Sequence, residues 1–174
     1  MVTNKYYKLR LINENDLKLI LSWRNSEKVR RNMFTDHEIS IDEHRNWFQN
    51  LEKNNTALYL IFEIDNQPRG LVSFSDIDYG NKNCLWGFYL GQENLPKGTG
   101  YIMGCLGLHY AFTEMKMRKV CGEVFNFNKV SINYHKKLGF KEEGYFKKHV
   151  LKNGQYEDIV CFALFSDQWE SKNL

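Results

Sequence analysis

The chain has 174 residues, 43% hydrophobic and 15% aromatic, and its 24 Lys and Arg against 21 Asp and Glu leave a net charge of +3. That length buries a sizeable core without a disulfide or metal staple, and so small a charge, spread without blocks, excludes an electrostatic nucleic-acid clamp. Cys84, Cys105, Cys121 and Cys161 form no C-x-x-C pair, which argues against a zinc site or a disulfide scaffold and for a reducing cytoplasm.

Along the chain, Tyr7, Leu9 and Leu11 alternate with more polar neighbours and predict a first strand. Asn13 or Asn15 offers a cap for a helix carrying Leu17, Ile20 and Leu21, which ends or kinks near Trp23-Arg24-Asn25. A second short helix is expected around Val29 and Met33. Ser40-Ile41-Asp42-Glu43 has the S-x-x-E form in which hydroxyl and carboxylate each satisfy a free backbone N–H, and His44, Trp47, Phe48 and Leu51 follow at helical spacing.

Residues 57–64 and 71–77 read as a hairpin about a turn at 65–70, and a third strand follows over 84–90. Gly98-Thr99-Gly100 then opens a long helix to about Met117. Lys119 to Phe125 predicts a strand, Asn128 to Leu138 a helix stopped by Gly139, and Phe140 onward a strand reaching Val150. Asn153-Gly154 marks a two-residue hairpin turn into a well-covered last strand over 156–165. The whole predicts an α+β (mixed α/β) sheet with helices on both faces. No apolar run approaches a membrane span, and no linker or repeat divides the chain, so one soluble domain over 1–174 is expected.

Two segments carry chemistry. Glycines in Gly98-Thr99-Gly100 let backbone approach a phosphate closely, where the first N–H groups of a helix would hold the negative charge; taken alone, such a turn is as readily structural. Asn128 caps the next helix and places Ser131, Tyr134 and His135 within two turns of each other.

In the order strand, glycine turn, long helix, strand, then N-x-x-S ahead of K-L-G-F, the chain resembles the GCN5-related N-acetyltransferases, which use acetyl-coenzyme A. The resemblance covers nearly the whole chain. It implies the GNAT fold: a mostly antiparallel sheet of about seven strands, flanked by helices, whose fourth and fifth strands splay to admit the pantetheine arm. Phe88, Tyr89 and Leu90 would offer backbone to that arm, with Lys97, Gly98, Thr99, Gly100 and Tyr101 around the pyrophosphate and Asn128 and Ser131 beyond. Leu95 stands where the family's Q/R-x-x-G-x-G/A pattern has Gln or Arg.

In the family a tyrosine seven places after the Asn often protonates the departing thiolate. That position is His135 here, and Tyr134 falls one place earlier. An imidazole with an ordinary pKa near ~6.5 is competent as that acid, with Tyr134 as the alternative and a surface histidine as the bland reading. Glu123 is the expected base for the amine proton, with an ordered water able to do the same work. No metal is expected.

The first third should recognise the acceptor. Arg24, Asn25, Arg30, Met33, Phe34, His44 and Trp47 form an aromatic and cationic cluster suited to a phosphate and a flat base, or else to helix packing with solvated arginines. W-R-N, E-H-x-x-W-F, K-L-G-F-K-E-E-G and K-N-G-Q-Y-E-D narrow the resemblance to PseH-type enzymes of bacterial pseudaminic acid synthesis, which feeds flagellin or surface glycosylation. This implies acetylation of the 4-amino group of a UDP-linked 4-amino-4,6-dideoxy-N-acetyl-altrosamine in a ternary complex. A cytoplasmic protein with no nucleic-acid or membrane partner is implied, and a homodimer is compatible with it. RimJ/RimL-type acetylation of ribosomal-protein N-termini and a non-catalytic acyl-coenzyme A sensor stand as alternatives.

Overall fold

The computed structural model describes residues 6–51 and 53–169; the remainder of the expected 1–174 span lies outside the described residues. Seven strands, β1 (Tyr7–Leu11), β2 (Leu58–Ile64), β3 (Gln67–Asp78), β4 (Asn83–Leu90), β5 (Lys119–Phe125), β6 (Lys141–Lys152) and β7 (Gln155–Phe165), form one sheet in the order β1-β2-β3-β4-β5-β7-β6. Neighbours are antiparallel except β4 and β5, which run parallel. Five helices accompany them: α1 (Leu17–Asn25), α2 (Glu27–Arg30), α3 (Ile41–Leu51), α4 (Thr99–His109) and α5 (Lys129–Leu138).

The alternation of the strands assigns the two faces of the sheet. Leu60, Phe62, Val72, Phe74, Cys84 and Trp86 pack with Met103 and Leu108 of α4 and Ile132 of α5 in the larger core. On the opposite face Ile61 and Leu71 meet Ile20 and Trp23 of α1. Each such side chain contributes about 1.5–3 kcal/mol by leaving water, and the Trp23 ring meets Tyr89 edge-on at 6.4 Å.

The start of α1 is anchored electrostatically. Asn13 and Asp16 make a reciprocal capping box, and Arg10 donates to both oxygens of Asp16 at 2.7 and 2.8 Å and to Glu63 at 2.7 Å. Burial alone would raise both carboxylates; the Arg10 bonds outweigh it and hold them below their ordinary values. This fork joins β1, β2 and α1, and so fixes where α1 delivers its last turn.

Local differences from the sequence expectation have physical causes. The turn expected over 65–70 shrinks to Asp65 and Asn66, both at positive φ (51° and 61°), so β3 begins at Gln67 and runs 12 residues. Such a two-residue turn matches the strands' own twist. The α2 helix holds Val29 but ends before Met33, and α4 gives way at Tyr110 to one wider π turn ending at Glu114. Ser40 Oγ accepts from Glu43 N–H as expected, whereas the Glu43 carboxylate turns to His37 Nε2 at 3.1 Å. Asn153 and Gly154, at φ 50° and 78°, close the last hairpin, and β7 lies between β5 and β6.

Candidate active site

The parallel pair is short. Only Asn83, Cys84 and Leu85 of β4 pair with Lys119, Val120 and Cys121 of β5, and beyond them the two strands part. A cavity of about 900 Å³ opens at this fork and reaches both faces of the sheet, near the upper end of the volumes typical of small-molecule sites. On the α4/α5 side it is lined by Trp86, Phe88, Leu90, Gly100, Tyr134 and His135; on the other by Arg24, Tyr59, Ser73, Tyr89 and Glu123. One volume thus meets two walls of different chemistry at the point where the strands separate.

The α4 wall suits an elongated anionic ligand. Gly98 caps α4 at φ 94° with no side chain bonded to the first-turn amides, and a β-carbon at Gly98 or Gly100 would strike nothing in the protein. The backbone is therefore open to close approach at a positive helix end. Phe88, Tyr89, Leu90, Asn128 and Ser131 line the cavity, and the Asn128 side chain accepts from Ser131 N–H at 3.1 Å. Lys97, Gly98, Thr99 and Tyr101 lie outside the lining, in the loop and first turn next to Gly100. Thr99 is buried with its hydroxyl given to Pro96 O, and Lys137 sits over the Tyr101 ring at 4.8 Å.

His135 lines the cavity but is held at both ring nitrogens. Its ring is 3% exposed, and the indole N–H of Trp86 points at Nε2 from 3.1 Å. Indole nitrogen only donates, so Nε2 must accept; the ring proton then lies on Nδ1, which donates to Ser131 O at 2.8 Å. Both nitrogens are engaged, and burial pushes the imidazole down to about 4. His135 in this arrangement is a neutral core group with no proton directed into the cavity.

Tyr134 also gives its proton to a main-chain carbonyl, but through one rotatable O–H rather than a ring held at both nitrogens. Its hydroxyl donates to Gly100 O at 2.6 Å, on the α4 wall. Burial raises its pKa, so the phenol keeps its proton at neutral pH. On the other wall Glu123 projects from β5, with Phe125 two residues on along the same face.

Of the residues expected to bind the acceptor, Arg24, Met33, Phe34, His44 and Trp47 line the cavity. Asn25 and Arg30 do not. The Asn25 amide bridges Ile39, donating to its carbonyl at 2.8 Å and accepting from its N–H at 2.9 Å, which pins the loop between α2 and α3. Arg30 contributes its main-chain carbonyl to Lys152. His44 is buried, bonded to Leu17 O at 3.0 Å and stacked on Trp47 at 4.9 Å, so its first task is to join α3 to α1.

Arg24 is the outstanding group. Its Nη1 is buried and makes no hydrogen bond with any described residue. Burial lowers its pKa against weaker opposing pulls from Tyr89, Tyr59 and Glu43. Guanidinium nevertheless stays protonated at neutral pH. Sequence reasoning missed Lys28, Tyr59, Ser73 and Ser75, which also face the cavity, as does Arg31 next to Arg30; the period-two alternation of β2 and β3 was the available signal for Tyr59, Ser73 and Ser75.

Cys84 is buried, and burial pushes its thiol up to about 12; Cys121 and Cys161 are likewise raised by burial. None of these three thiols is poised as a nucleophile. Among the described residues no group of three or more His, Cys, Asp or Glu can hold a metal ion, and no helix is long and apolar enough to cross a membrane.

Comparison with known proteins bears on the same site. Residues 9–161 match the acetyltransferase (GNAT) domain family. The SPbeta prophage-derived uncharacterized N-acetyltransferase YokL of Bacillus subtilis is 30% identical over 97% of this chain and 94% of its own. Acetyltransferase PseH of Campylobacter jejuni is 29% identical over 78% of this chain and 79% of its own. Spermidine N-acetyltransferase of Vibrio cholerae, solved in complex with CoA and spermine, superposes with a TM-score of 0.87 at 22% identity, covering 95% of this chain and 98% of that one.

Proposed function

This chain belongs to the GNAT family and is an acetyl-CoA-dependent N-acetyltransferase, and from that premise we propose that its acceptor is an amine carried on an anionic molecule, the 4-amino group of a UDP-linked 4-amino-4,6-dideoxy-N-acetyl-altrosamine. The observation that carries this reading is Arg24, a half-buried side chain whose buried Nη1 has no hydrogen-bond partner among the described residues and which faces the cavity opposite the α4 wall. A buried donor of a charged group without a partner is costly unless an anion completes it. A diphosphate offers planar, bidentate acceptors that a guanidinium matches, and Trp47 and Phe34 offer ring faces for a base.

Charge separates this acceptor from a polyamine. Arg24, Lys28 and Arg31 outnumber Glu43 and Glu123 on the lining, and Glu43 is already in contact with His37. A polycationic acceptor would meet net repulsion here. The Vibrio spermidine enzyme is a relative in sequence as well as in fold, at 23% identity over 98% of this chain, so the charge of the lining, with the likeness to the Campylobacter PseH at 29% identity, is what supports the nucleotide-sugar reading.

Chemistry on this reading is a direct transfer in a ternary complex within a single domain. Acetyl-CoA occupies the α4 wall, with Gly98 and Gly100 admitting the pyrophosphate and β4 offering backbone to the pantetheine arm. The acceptor amine comes from the Arg24 side; its nitrogen attacks the thioester carbonyl, the C–S bond breaks, and an amide and a thiol result. Glu123, or a water beside it, takes the amine proton. Tyr134 rather than His135 gives the proton to the departing sulfur, its hydroxyl turning from Gly100 O to the thiolate as the C–S bond breaks. Most of the acceleration comes from holding amine and thioester in contact, where effective molarities reach about 10⁵–10⁸ M.

The test is thiol release from acetyl-CoA with the UDP-4-amino-dideoxy sugar, spermidine and an alanine-starting ribosomal peptide run side by side. Turnover confined to the nucleotide sugar is expected. Turnover on spermidine or peptide alone overturns the acceptor, and coenzyme binding without turnover on any amine returns the sensor alternative.

A further inference from the structure

Lys152 ends β6 and is 4% exposed, the one Lys or Arg buried to that degree among the described residues. Its ammonium does not pair with a carboxylate. It donates to the main-chain carbonyls of Met33 at 2.6 Å and Arg30 at 3.4 Å, 119 and 122 residues away in sequence. Its Nζ also lies 5.6 Å from the centre of the Phe125 ring. One residue on, Asn153 N–H donates to Asp36 Oδ2 at 3.2 Å. The turn of the last hairpin is thereby tied twice to the segment between α2 and α3.

That segment has little else to hold it. Between Arg30 and Ile41 it forms no helix or strand, and its far end is pinned at Ile39 by Asn25. Within it stand Met33 and Phe34, which face the cavity, and Phe34 meets Phe125 edge-on at 5.1 Å. Phe34 therefore closes one side of the Arg24 wall only while the loop is drawn toward β5. The Lys152 ammonium thus bonds the loop just before Phe34, at Met33 and Arg30, and lies over the Phe125 ring that Phe34 meets.

We infer that Lys152 is a positioning residue for the acceptor: it draws the 30–36 loop onto the last hairpin and so sets the Phe34–Phe125 side of the acceptor wall. The role rests on the reading that the acceptor enters on the Arg24 side, and does not depend on which amine it is. An ammonium suits the task because it supplies several donors from one point, which two carbonyls at different places in the loop require. The charge is costly there: burial and the nearby Arg24 and Arg30 oppose it, while Asp36 and Glu157 favour it. An apolar side chain would hold the fold at lower cost, so a buried lysine bonded to this loop beside the cavity points to control of loop geometry.

Three variants test this: Lys152→Met, which keeps the bulk, Lys152→Arg, which restores donors, and Asp36→Ala at an exposed position. Acceptor KM is measured with whichever amine the enzyme turns over, acetyl-CoA Kd by calorimetry, and amide exchange over residues 30–36 without any acceptor. Lys152→Met should raise acceptor KM about tenfold or more, the scale of losing hydrogen bonds from a charged donor, speed exchange in the loop and leave acetyl-CoA Kd within about twofold. Lys152→Arg should recover much of the loss, and Asp36→Ala should shift KM and exchange in the same direction by less.

Unchanged acceptor KM and unchanged exchange in folded Lys152→Met overturn the inference, as does an equal loss of acetyl-CoA affinity. Should Lys152→Met fail to fold, Asp36→Ala decides: no change in KM or exchange overturns it. A wrong acceptor assignment shows in the amine panel alone and leaves the exchange and coenzyme readouts standing.

Discussion

The indole N–H of Trp86 donates to Nε2 of His135 across 3.1 Å, joining β4 to α5 at the place where β4 leaves β5. Because indole cannot accept, this single bond fixes the tautomer of the imidazole and directs its one proton to Ser131 O. A position that the sequence presents as a proton donor is thus a neutral pillar of the fork.

Stability should record that neutrality. The unfolded chain binds a proton on His135 near the ordinary value of 6.5, the folded chain only near 4, so the unfolded state is the greater proton binder between them. The contribution is intact above about pH 6.5 and is lost as pH falls toward 4, by at most about 3 kcal/mol. Denaturant unfolding of wild type and His135→Gln from pH 7.5 to 4.5 should show a shallower acid-side loss in the variant. Parallel slopes would mean that the imidazole is not held neutral.

Catalysis should part the two neighbours on α5. Tyr134→Phe is expected to lower kcat by about 10²-fold, the low end for losing a general acid, with acetyl-CoA KM within a few-fold. His135→Gln, whose amide oxygen can still accept from Trp86, should keep kcat within about threefold and show no new inflection in its pH profile. The reverse ranking in steady-state kinetics would restore the histidine as donor.

Arg24 invites a test in which function and stability move in opposite directions. Arg24→Met removes a half-buried cation whose buried Nη1 is unpartnered and fills similar volume, so stability should be unchanged or raised by about 1 kcal/mol as an unsatisfied donor is lost. The same change should raise acceptor KM by about 10²-fold, since a hydrogen-bonded charge pair is lost, and leave acetyl-CoA KM alone. Thermal unfolding with paired kinetics measures both. A destabilised variant with normal acceptor KM would make Arg24 a packing residue.

Gly122 faces the Trp86–His135 bond. A β-carbon there would sit 2.7 Å from His135 Nε2 and 3.1 Å from Trp86 Nε1, so Gly122→Ala must push the pair apart between packed aromatic rings. A loss of about 1–3 kcal/mol in denaturant unfolding is expected, together with weaker acetyl-CoA binding, because both displaced rings line the cavity. Wild-type stability would show that the rings yield without cost.

Much of the fold was legible because its signals are local. Asn128 caps α5 and Gly139 ends it at φ 102°, and Asn153-Gly154 turns the last hairpin. Period-two patterning gives the strands, and the ordered motifs of the resemblance give the sheet its topology. Turn lengths and helix ends were less legible, since Asp65-Asn66 and the π turn at Tyr110 answer to strand twist and to packing.

By itself the sequence determined the element order and the α+β class, because these follow from local periodicity and capping chemistry, and its ordered motifs resembled the N-acetyltransferase family to which the chain belongs. Only the tertiary structure decided which side chains keep a free proton or a free charge. Trp86 commits His135 from 49 residues away, Asn25 spends its amide on the backbone of Ile39, and Arg24, unlike Arg30, reaches the cavity. Those outcomes depend on which donor meets which acceptor once the sheet has closed. Hydrogen-bond saturation and desolvation are properties of that three-dimensional neighbourhood.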